Sequence, residues 1–147
     1  MKTLTFIFLF ISLTAFGQTD SLHSLNGTWN LKMFKNLITG KIKDTARLQD
    51  NWAVFYTHVK LTFHDSAGHG TIIGKSFCND VGDHYTLLDK NKIAALGLGS
   101  TAVNCRLEQE LEEGIKNASS YRRTKDSLFI LYNQDSEEMI FVKYKEK

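Results

Sequence analysis

The sequence has no proline, only two cysteines and almost no net charge. Its 147 residues include 18 lysines and arginines against 16 aspartates and glutamates, a formal charge of +2. This charge is too small and too evenly mixed for the electrostatic footprint that nucleic acids or acidic membranes require, so we expect no nucleic-acid partner. The chain also lacks proline-rich and Gly/Ser-rich linkers and internal repeats, which indicates one domain with an adequate core. Disorder, collagen and coiled coil are excluded.

Long hydrophobic runs are absent except at the N-terminus. Lys2 precedes an uncharged apolar run over residues 4–16, which is too short to span a bilayer and is typical of a cleavable secretory signal. Ala15 and Gly17 predict cleavage after Gly17, giving a signal peptide of residues 1–17 and a single domain of residues 18–147. No cysteine lies directly after the run, where a lipid would be attached to a mature N-terminal cysteine, so we expect a secreted or periplasmic protein that is not a lipoprotein and is not stably inserted in a membrane. A retained membrane anchor is the alternative.

Most of the remaining sequence has the pattern of β-strands. Residues 26–34 place Trp29, Leu31 and Met33 on one face at a period of two, which predicts a half-buried strand with Trp29 in the core. A second strand and several hairpins are predicted from β-branched and aromatic runs separated by turn residues, over residues 53–63, 71–74, 84–96 and 126–144. Residues 35–51 are polar and weakly periodic, so we expect a long connection there with an irregular or short helical piece.

One helix is predicted near residues 104–118. Its apolar stripe consists of Leu107, Leu111, Ile115 and Ala118, whereas the charged residues Glu108, Glu112, Glu113 and Lys116 are expected to face water. Asn104 is a plausible N-cap. The elements together predict an α+β fold in which antiparallel strands dominate and this helix covers the sheet.

The two cysteines allow a single intramolecular pairing. In an oxidising compartment a bridge between Cys78 and Cys105 is favoured over free thiols. Closing a loop of about 28 residues would stabilise the fold by roughly 3.5 kcal/mol in the chain-entropy model. The alternative is a pair of buried, reduced cysteines that act as small hydrophobic residues.

Residues 78–85 (CNDVGDHY) resemble a Cys-Asn and Gly-x-Tyr pattern found in the META domain family, the family of the heat-shock protein HslJ. The matching positions, spread over residues 22–145, are Gly27, Trp29, Asn79, Gly82, Tyr85, Ser100 and Thr101. The resemblance implies a bacterial envelope or secreted domain, and a curved, mostly antiparallel and partly barrel-like sheet with one covering helix. It implies no established catalytic chemistry.

Motifs for cofactors and catalysis are weak. Residues 97–102 (GLGSTA) match a dinucleotide-binding fingerprint, but they follow hairpins and no acidic residue lies about 20 positions later. The histidines His64, His69 and His84 are weak candidates for metal ligands, because their spacing matches no compact metal motif and turns favour such residues for backbone reasons. No G-x-S-x-G elbow is present. We therefore expect no cofactor, no metal and no enzymatic activity.

The remaining candidates for a binding surface are Trp52, Tyr56, Asp80, Asp83 and His84. We expect a monomer whose function is envelope or stress-related interaction with a protein or other envelope component. The alternatives are small-molecule or metal binding at one end of the curved sheet, and an enzyme of unrecognised type. An exposed apolar patch with a polar rim would favour protein interaction, whereas a deep pocket with convergent polar groups would favour a small ligand.

The disulfide and the processing site are tested by the intact mass of the protein isolated from its own envelope fraction. We expect a chain that begins at Gln18 and is lighter by two hydrogens before reduction than after it. Equal masses before and after reduction would contradict the disulfide, and a chain that retains residues 1–17 would contradict cleavage.

Overall fold

The computed structural model describes residues 24–45, 58–89, 91–101 and 106–146. Along these residues the elements are β1 (Gly27–Asn36), β2 (Ile42–Asp44), β3 (Lys60–Ser66), β4 (His69–Lys75), β5 (Asp80–Leu88), β6 (Lys92–Ala95), β7 (Gly99–Ser100), α1 (Arg106–Lys116), β8 (Ala118–Arg123), β9 (Ser127–Tyr132) and β10 (Glu137–Lys143).

The strands form one antiparallel sheet that closes into a barrel. Neighbouring strands follow the order β10-β9-β8-β6-β5-β4-β3-β1-β2, and the short β7 pairs with β5. Because β1 also pairs with β10, the sheet returns on itself. The predicted curved, mostly antiparallel and barrel-like sheet is therefore confirmed. The helix spans only 11 residues, so the α+β class fits this architecture loosely.

A β-bulge in β1 changes which side chains face the core. The pairing of β1 with β10 shifts register between Leu31 and Met33, so one extra residue is inserted on β1. Trp29, Leu31 and Phe34 are buried in consequence, whereas Met33 is only partly buried. The prediction that Met33 continues the buried face of Trp29 is wrong, because a one-residue insertion reverses the inward and outward positions that follow it.

The second half of β1 forms a hairpin with β2, where the sequence predicted a long irregular connection. The Asn36 side-chain oxygen accepts hydrogen bonds from the backbone N–H groups of Ile38 and Thr39, at 3.1 and 2.8 Å, and Gly40 adopts a φ of +70°. These polar residues form the turn of a hairpin, and Ile42 pairs with Lys35 beyond it. Residues 46–51 of the predicted connection lie outside the described residues.

The other predicted hairpins are confirmed. β3 and β4 are joined at residues 67–68, β5 and β6 at residues 89–91, and β9 and β10 at residues 133–136. The first of these turns is tighter than predicted, so His64 and His69 lie on strands. Residues 53–57 of the predicted second strand lie outside the described residues.

The barrel interior holds one core of aromatic and branched side chains. Its largest fully buried members are Trp29, Phe63 and Phe141, and the predicted position of Trp29 in the core is confirmed. The indole N–H of Trp29 donates a hydrogen bond to the backbone oxygen of Leu25 at 3.0 Å, so the only polar atom of this side chain is paired inside the core.

Helix α1 covers the barrel with Leu111 and Ile115, which are almost fully buried as predicted. Two details differ from the prediction. Ala118 begins β8 instead of continuing the helix. Glu108, which was expected to face water, is 3% exposed because it binds residues of the β4–β5 connection. The predicted N-cap Asn104 lies outside the described residues.

Membrane-spanning helices were sought in the described part of the chain. None of its helices is long and apolar enough to cross a bilayer.

The close approach of the Tyr85 ring to Gly70 provides a test of the barrel packing. A Cβ atom at Gly70 would lie 2.3 Å from the Tyr85 ring and 2.6 Å from the backbone oxygen of His64, so we expect Gly70→Ala to lower the free energy of unfolding by about 1–3 kcal/mol. At Gly82 the nearest atom would be at 3.7 Å, so Gly82→Ala is the matched control and should change stability by less than about 0.5 kcal/mol or raise it slightly. Chemical denaturation measures both, and equal stabilities of the two variants would contradict the packing.

Candidate functional site

Hydrogen bonds around Asp65, one of them from the motif residue Tyr85, attach the start of the domain to the barrel. One carboxylate oxygen of Asp65 on β3 accepts hydrogen bonds from the backbone N–H of Leu25 at 2.9 Å and from the hydroxyl of Tyr85 at 3.0 Å. The Asn26 side chain accepts from the backbone N–H of Asp65 at 2.7 Å and donates to its backbone oxygen at 3.1 Å. These hydrogen bonds hold the segment before β1 against β3 and link β3 to β5.

Two buried tyrosines, Tyr85 and Tyr121, lie near Asp65. Burial raises the pKa of Tyr85 far above its ordinary value of 10, and the nearby Asp65 carboxylate raises it further. Burial and Asp65 also raise the pKa of Tyr121, although the guanidinium of Arg123 opposes the shift. Both phenols therefore remain protonated over the physiological range, and Tyr85 acts as a hydrogen-bond donor.

A second set of hydrogen bonds, which includes the motif residues Asn79, Ser100 and Thr101, joins the helix to the barrel. Ser76 donates a hydrogen bond to the Glu108 carboxylate at 2.6 Å, and its hydroxyl accepts from the backbone N–H of Asn79 at 3.2 Å. The hydroxyl of Thr101 donates to the side-chain oxygen of Asn79 at 2.9 Å. Nearby, Ser100 donates to Glu112 at 2.7 Å. The polar residues of this motif therefore hold structural contacts.

Cys78 lies in the same buried cluster and is 5% exposed. Its sulfur lies 3.5 Å from the side-chain nitrogen of Asn79 and 3.6 Å from the Glu108 carboxylate. Its predicted disulfide partner Cys105 lies outside the described residues, so the bridge stays a prediction.

Three of the predicted binding-surface residues, Asp80, Asp83 and His84, lie on β5. Asp80 pairs with Lys75 at 2.8 Å, and Asp83 accepts hydrogen bonds from the backbone N–H groups of Gly97 at 3.0 Å and His84 at 2.6 Å. Trp52 and Tyr56 lie outside the described residues. The two carboxylates thus serve local contacts.

The three histidines named as weak metal candidates share the outer face of the sheet. His64 on β3 and His84 on β5 both lie opposite Thr71 on β4, and His69 lies two positions from Thr71 on the same strand. A cavity of about 280 Å³ on this face, here called the histidine cavity, is lined by His69, His84, Thr86, Ala94, Ala95 and Leu96, among others. Among the described residues no group of three or more metal-ligating side chains is close enough to hold an ion.

The β1–β2 hairpin presents apolar side chains to solvent. Leu37, Ile38 and Ile42 are 41%, 80% and 54% exposed. Together with Lys41 these residues are called the hairpin surface. The sequence-based prediction did not include this surface, although the adjacent Leu37 and Ile38 and the isoleucine between Lys41 and Lys43 were a usable signal once the segment was recognised as a hairpin.

The turn that carries the hairpin surface is held by its backbone. Asn36 N–H donates to the Lys41 oxygen, Gly40 N–H donates to the Asn36 oxygen, and Leu37 N–H donates to the Ser136 oxygen in the β9–β10 turn, each at 2.9 Å. The apolar side chains are therefore displayed on an ordered support.

A second cavity, of about 320 Å³, lies beneath the hairpin surface. Its wall includes Phe34, Tyr132, Lys41, Lys43, Glu110 and Glu137. Lys43 donates to both oxygens of Glu110 at 2.8 Å, and Asn36 and Asn133 donate to Glu137 at 3.2 and 2.7 Å. Among the described residues, no carboxylate forms an ion pair with Lys41. Lys35 also lines the cavity and likewise has no ion pair to a described carboxylate, so two solvated ammonium groups, those of Lys35 and Lys41, lie at the cavity edge.

Tyr132 forms part of the wall of this cavity. Burial raises its pKa well above the ordinary value of 10, and the nearby Glu137 and Glu110 carboxylates raise it further. The phenol therefore stays protonated over the physiological range and hydrogen bonds to Glu137. The cavity thus combines the apolar ring surface of Phe34 and Tyr132 with the ammonium groups of Lys35 and Lys41.

Comparison with known proteins agrees with the motif. The family model of the META domain matches residues 21–146, which confirms the predicted resemblance. The crystal structure of a DUF4847 family protein from Bacteroides vulgatus ATCC 8482, determined at 1.00 Å resolution, is similar in fold with a TM-score of 0.58. The two chains are 15% identical, and the alignment covers 87% of this chain and 98% of that one. No curated protein matches this chain in sequence.

The raised pKa values of Tyr85, Tyr121 and Tyr132 predict how stability depends on alkaline pH. Above about pH 10 the unfolded chain loses protons that the folded chain retains, so the free energy of unfolding should fall as pH rises. Below that pH these groups contribute no slope. Urea unfolding at a series of pH values measures the effect, and Tyr85→Phe should make the decline shallower because one of the three groups is removed. A stability that stays constant or rises above about pH 10 would contradict this assignment.

Proposed function

This chain belongs to the META domain family, and from that premise we propose that it is a non-catalytic binding domain of the bacterial envelope that engages a protein partner through the hairpin surface. The observation that carries the proposal is the exposure of Leu37, Ile38 and Ile42 on an ordered turn. The family and the fold leave the role open, so the support comes from this surface.

The N-terminal sequence supports a location outside the cytoplasm. Lys2, the apolar run over residues 4–16 and the small residue Gly17 have the features of a secretory signal. A disulfide between Cys78 and Cys105 would be consistent with an oxidising compartment.

The hairpin surface has the composition of a docking site. Isolated exposed apolar residues are common, but Leu37 and Ile38 in the turn and Ile42 at the start of β2 are exposed together on one hairpin. Apolar patches with a polar rim mark interaction sites. The side chain of Ile38 is the most exposed of the three. Because the hydrogen bonds of Asn36 already order the backbone, binding would not require a flexible loop to become fixed.

The charges beside the hairpin define the chemistry of the partner. Lys35, Lys41 and Lys43 line the cavity beneath it, against Glu110 and Glu137. Lys43 is paired with Glu110, and the asparagines hold Glu137, so among the described lining residues the ammonium groups of Lys35 and Lys41 are available to a ligand. A partner segment with an apolar anchor and a neighbouring carboxylate would complement both features.

The engagement of the described polar side chains in structural contacts supports a binding role. The motif residues Asn79 and Thr101, and the neighbouring polar residues Ser76 and Asp65, all take part in structural hydrogen bonds. His69 contacts the Thr86 hydroxyl at 3.3 Å, but no described carboxylate hydrogen bonds to its ring as an orienting group would.

Site-specific photo-crosslinking in the producing cells tests the proposal. A photoreactive residue in place of Ile38 should give one defined protein adduct, whereas the same residue in place of Ile73, which is 51% exposed on another part of the sheet, should give none. Lys41→Glu should reduce the Ile38 adduct by about tenfold or more because it reverses one of the available charges. Lys145→Glu, a charge reversal at an exposed site near the C-terminus, is the control and should leave the adduct unchanged.

The identity of the crosslinked segment decides the outcome. Mass spectrometry of the adduct should find an apolar residue with a carboxylate close to it in the partner sequence. Absence of an adduct at position 38, an equal adduct at position 73, an adduct to lipid, or insensitivity to Lys41→Glu would each contradict the proposal. Thermal unfolding of each variant verifies that the domain remains folded.

A further inference from the structure

The histidine cavity lies on a different part of the barrel from the hairpin surface and has its own chemistry. Its two imidazoles come from adjacent antiparallel strands, His69 from β4 and His84 from β5. His69 is opposite Thr86 and His84 is opposite Thr71, so the two histidines are diagonal neighbours on the outer face. Diagonal neighbours are about 7–8 Å apart, a separation from which two imidazoles can converge on one cation.

A hydrogen bond directs His69 toward its partner strand. The Nδ1 atom of His69 lies 3.3 Å from the hydroxyl of Thr86 on β5. This contact holds the ring over β5 and leaves the Nε2 atom for another ligand, as second-shell hydrogen bonds do for metal-binding histidines. His64 is also a diagonal neighbour of His69, on β3, but it does not line the cavity.

The surroundings of the two imidazoles favour a cation. The remaining lining residues are neutral, and Ala94, Ala95 and Leu96 form an apolar wall. Of the described residues that line the cavity, none is a lysine or arginine, so no fixed positive charge would repel a metal ion. No salt bridge among the described residues involves either histidine, so neither ring is already held by a carboxylate.

From this juxtaposition we propose that His69 and His84 form a two-histidine site for a divalent transition-metal ion, with water completing the coordination. Imidazole nitrogen is a preferred ligand of Cu²⁺, Ni²⁺ and Zn²⁺, and Cu²⁺ binds most tightly in this series. Two protein ligands give an exchangeable site rather than a structural one. The site has open coordination positions and faces solvent, so it suits reversible capture of a metal ion.

Titration of the untagged mature protein with Cu²⁺ alone, at neutral to slightly alkaline pH, tests the site. Calorimetry should find one saturable ion, and electron paramagnetic resonance should show coupling to two imidazole nitrogens. His69→Asn and His84→Asn should each weaken binding by at least about tenfold and remove one coupled nitrogen. His64→Asn is the matched control, because it removes a histidine from the same outer face, and it should leave both the affinity and the spectrum unchanged.

Several results would overturn the site. They are the absence of saturable Cu²⁺ binding, an equal loss in His64→Asn, and unchanged binding in the double variant His69→Asn/His84→Asn, which would place the ion at the N-terminus or elsewhere. Both histidines are exposed, so the variants should unfold at the temperature of the parent protein. Crosslinking at Ile38 is independent of this site, so failure of either experiment does not decide the other.

Discussion

Strand β1 forms hydrogen bonds along both of its edges, with β10 on one side and with β3 and then β2 on the other. This double pairing turns an open antiparallel sheet into a barrel. It removes the exposed edges that β1 and β10 would otherwise present to other chains. It also places Trp29 in the centre of the core, where the side chain is inaccessible to water. The other elements pack around this closure.

Two carboxylates attach the N-terminal segment and the helix to the barrel. Asp65 links the segment before β1 to Tyr85, and Glu108 links the helix to the connection after β4. Buried polar groups of this kind are costly when unpaired, which explains why each is met by a hydroxyl, an amide or a backbone group. Of the motif positions, Tyr85, Asn79 and Thr101 take part in these hydrogen-bond networks, so their polar groups contribute to the fold.

Much of the fold was predictable because strands and the helix carry strong local periodicity. Trp29 at a period of two, the β9–β10 hairpin and the apolar stripe of Leu111 and Ile115 were each visible in the sequence. The bulge in β1 was not visible, because nothing in the residues 31–33 marks where the partner strand omits a residue.

The candidate site was less predictable than the fold. The hairpin surface lies within a segment that was expected to be irregular, because the polar turn formed by Asn36 and Gly40 interrupts the apolar alternation. The outer-face position of His69 and His84 depends on the register between β4 and β5. Register is set by long-range pairing, and no local pattern states which side chains will be diagonal neighbours.

The interior and the surface of the barrel have separate roles. The buried side chains stabilise the barrel, whereas the hairpin surface offers exposed apolar side chains and available ammonium groups. The histidine cavity offers two imidazoles, and its described lining contains no lysine or arginine. Because the hairpin is continuous with the closing strand, residues 27–34 and 37–42 are parts of one rigid support. A partner that binds the hairpin would therefore meet a surface whose shape is set before binding.

The most direct test is backbone amide hydrogen exchange of the mature protein, measured once alone and once in its own envelope fraction. The account predicts slow exchange in β1 in both conditions, and a further slowing in the envelope fraction that is confined to residues 35–43. Identical exchange of residues 35–43 in the two conditions, or new protection centred on another face of the barrel, would contradict the claim that the hairpin is the binding surface.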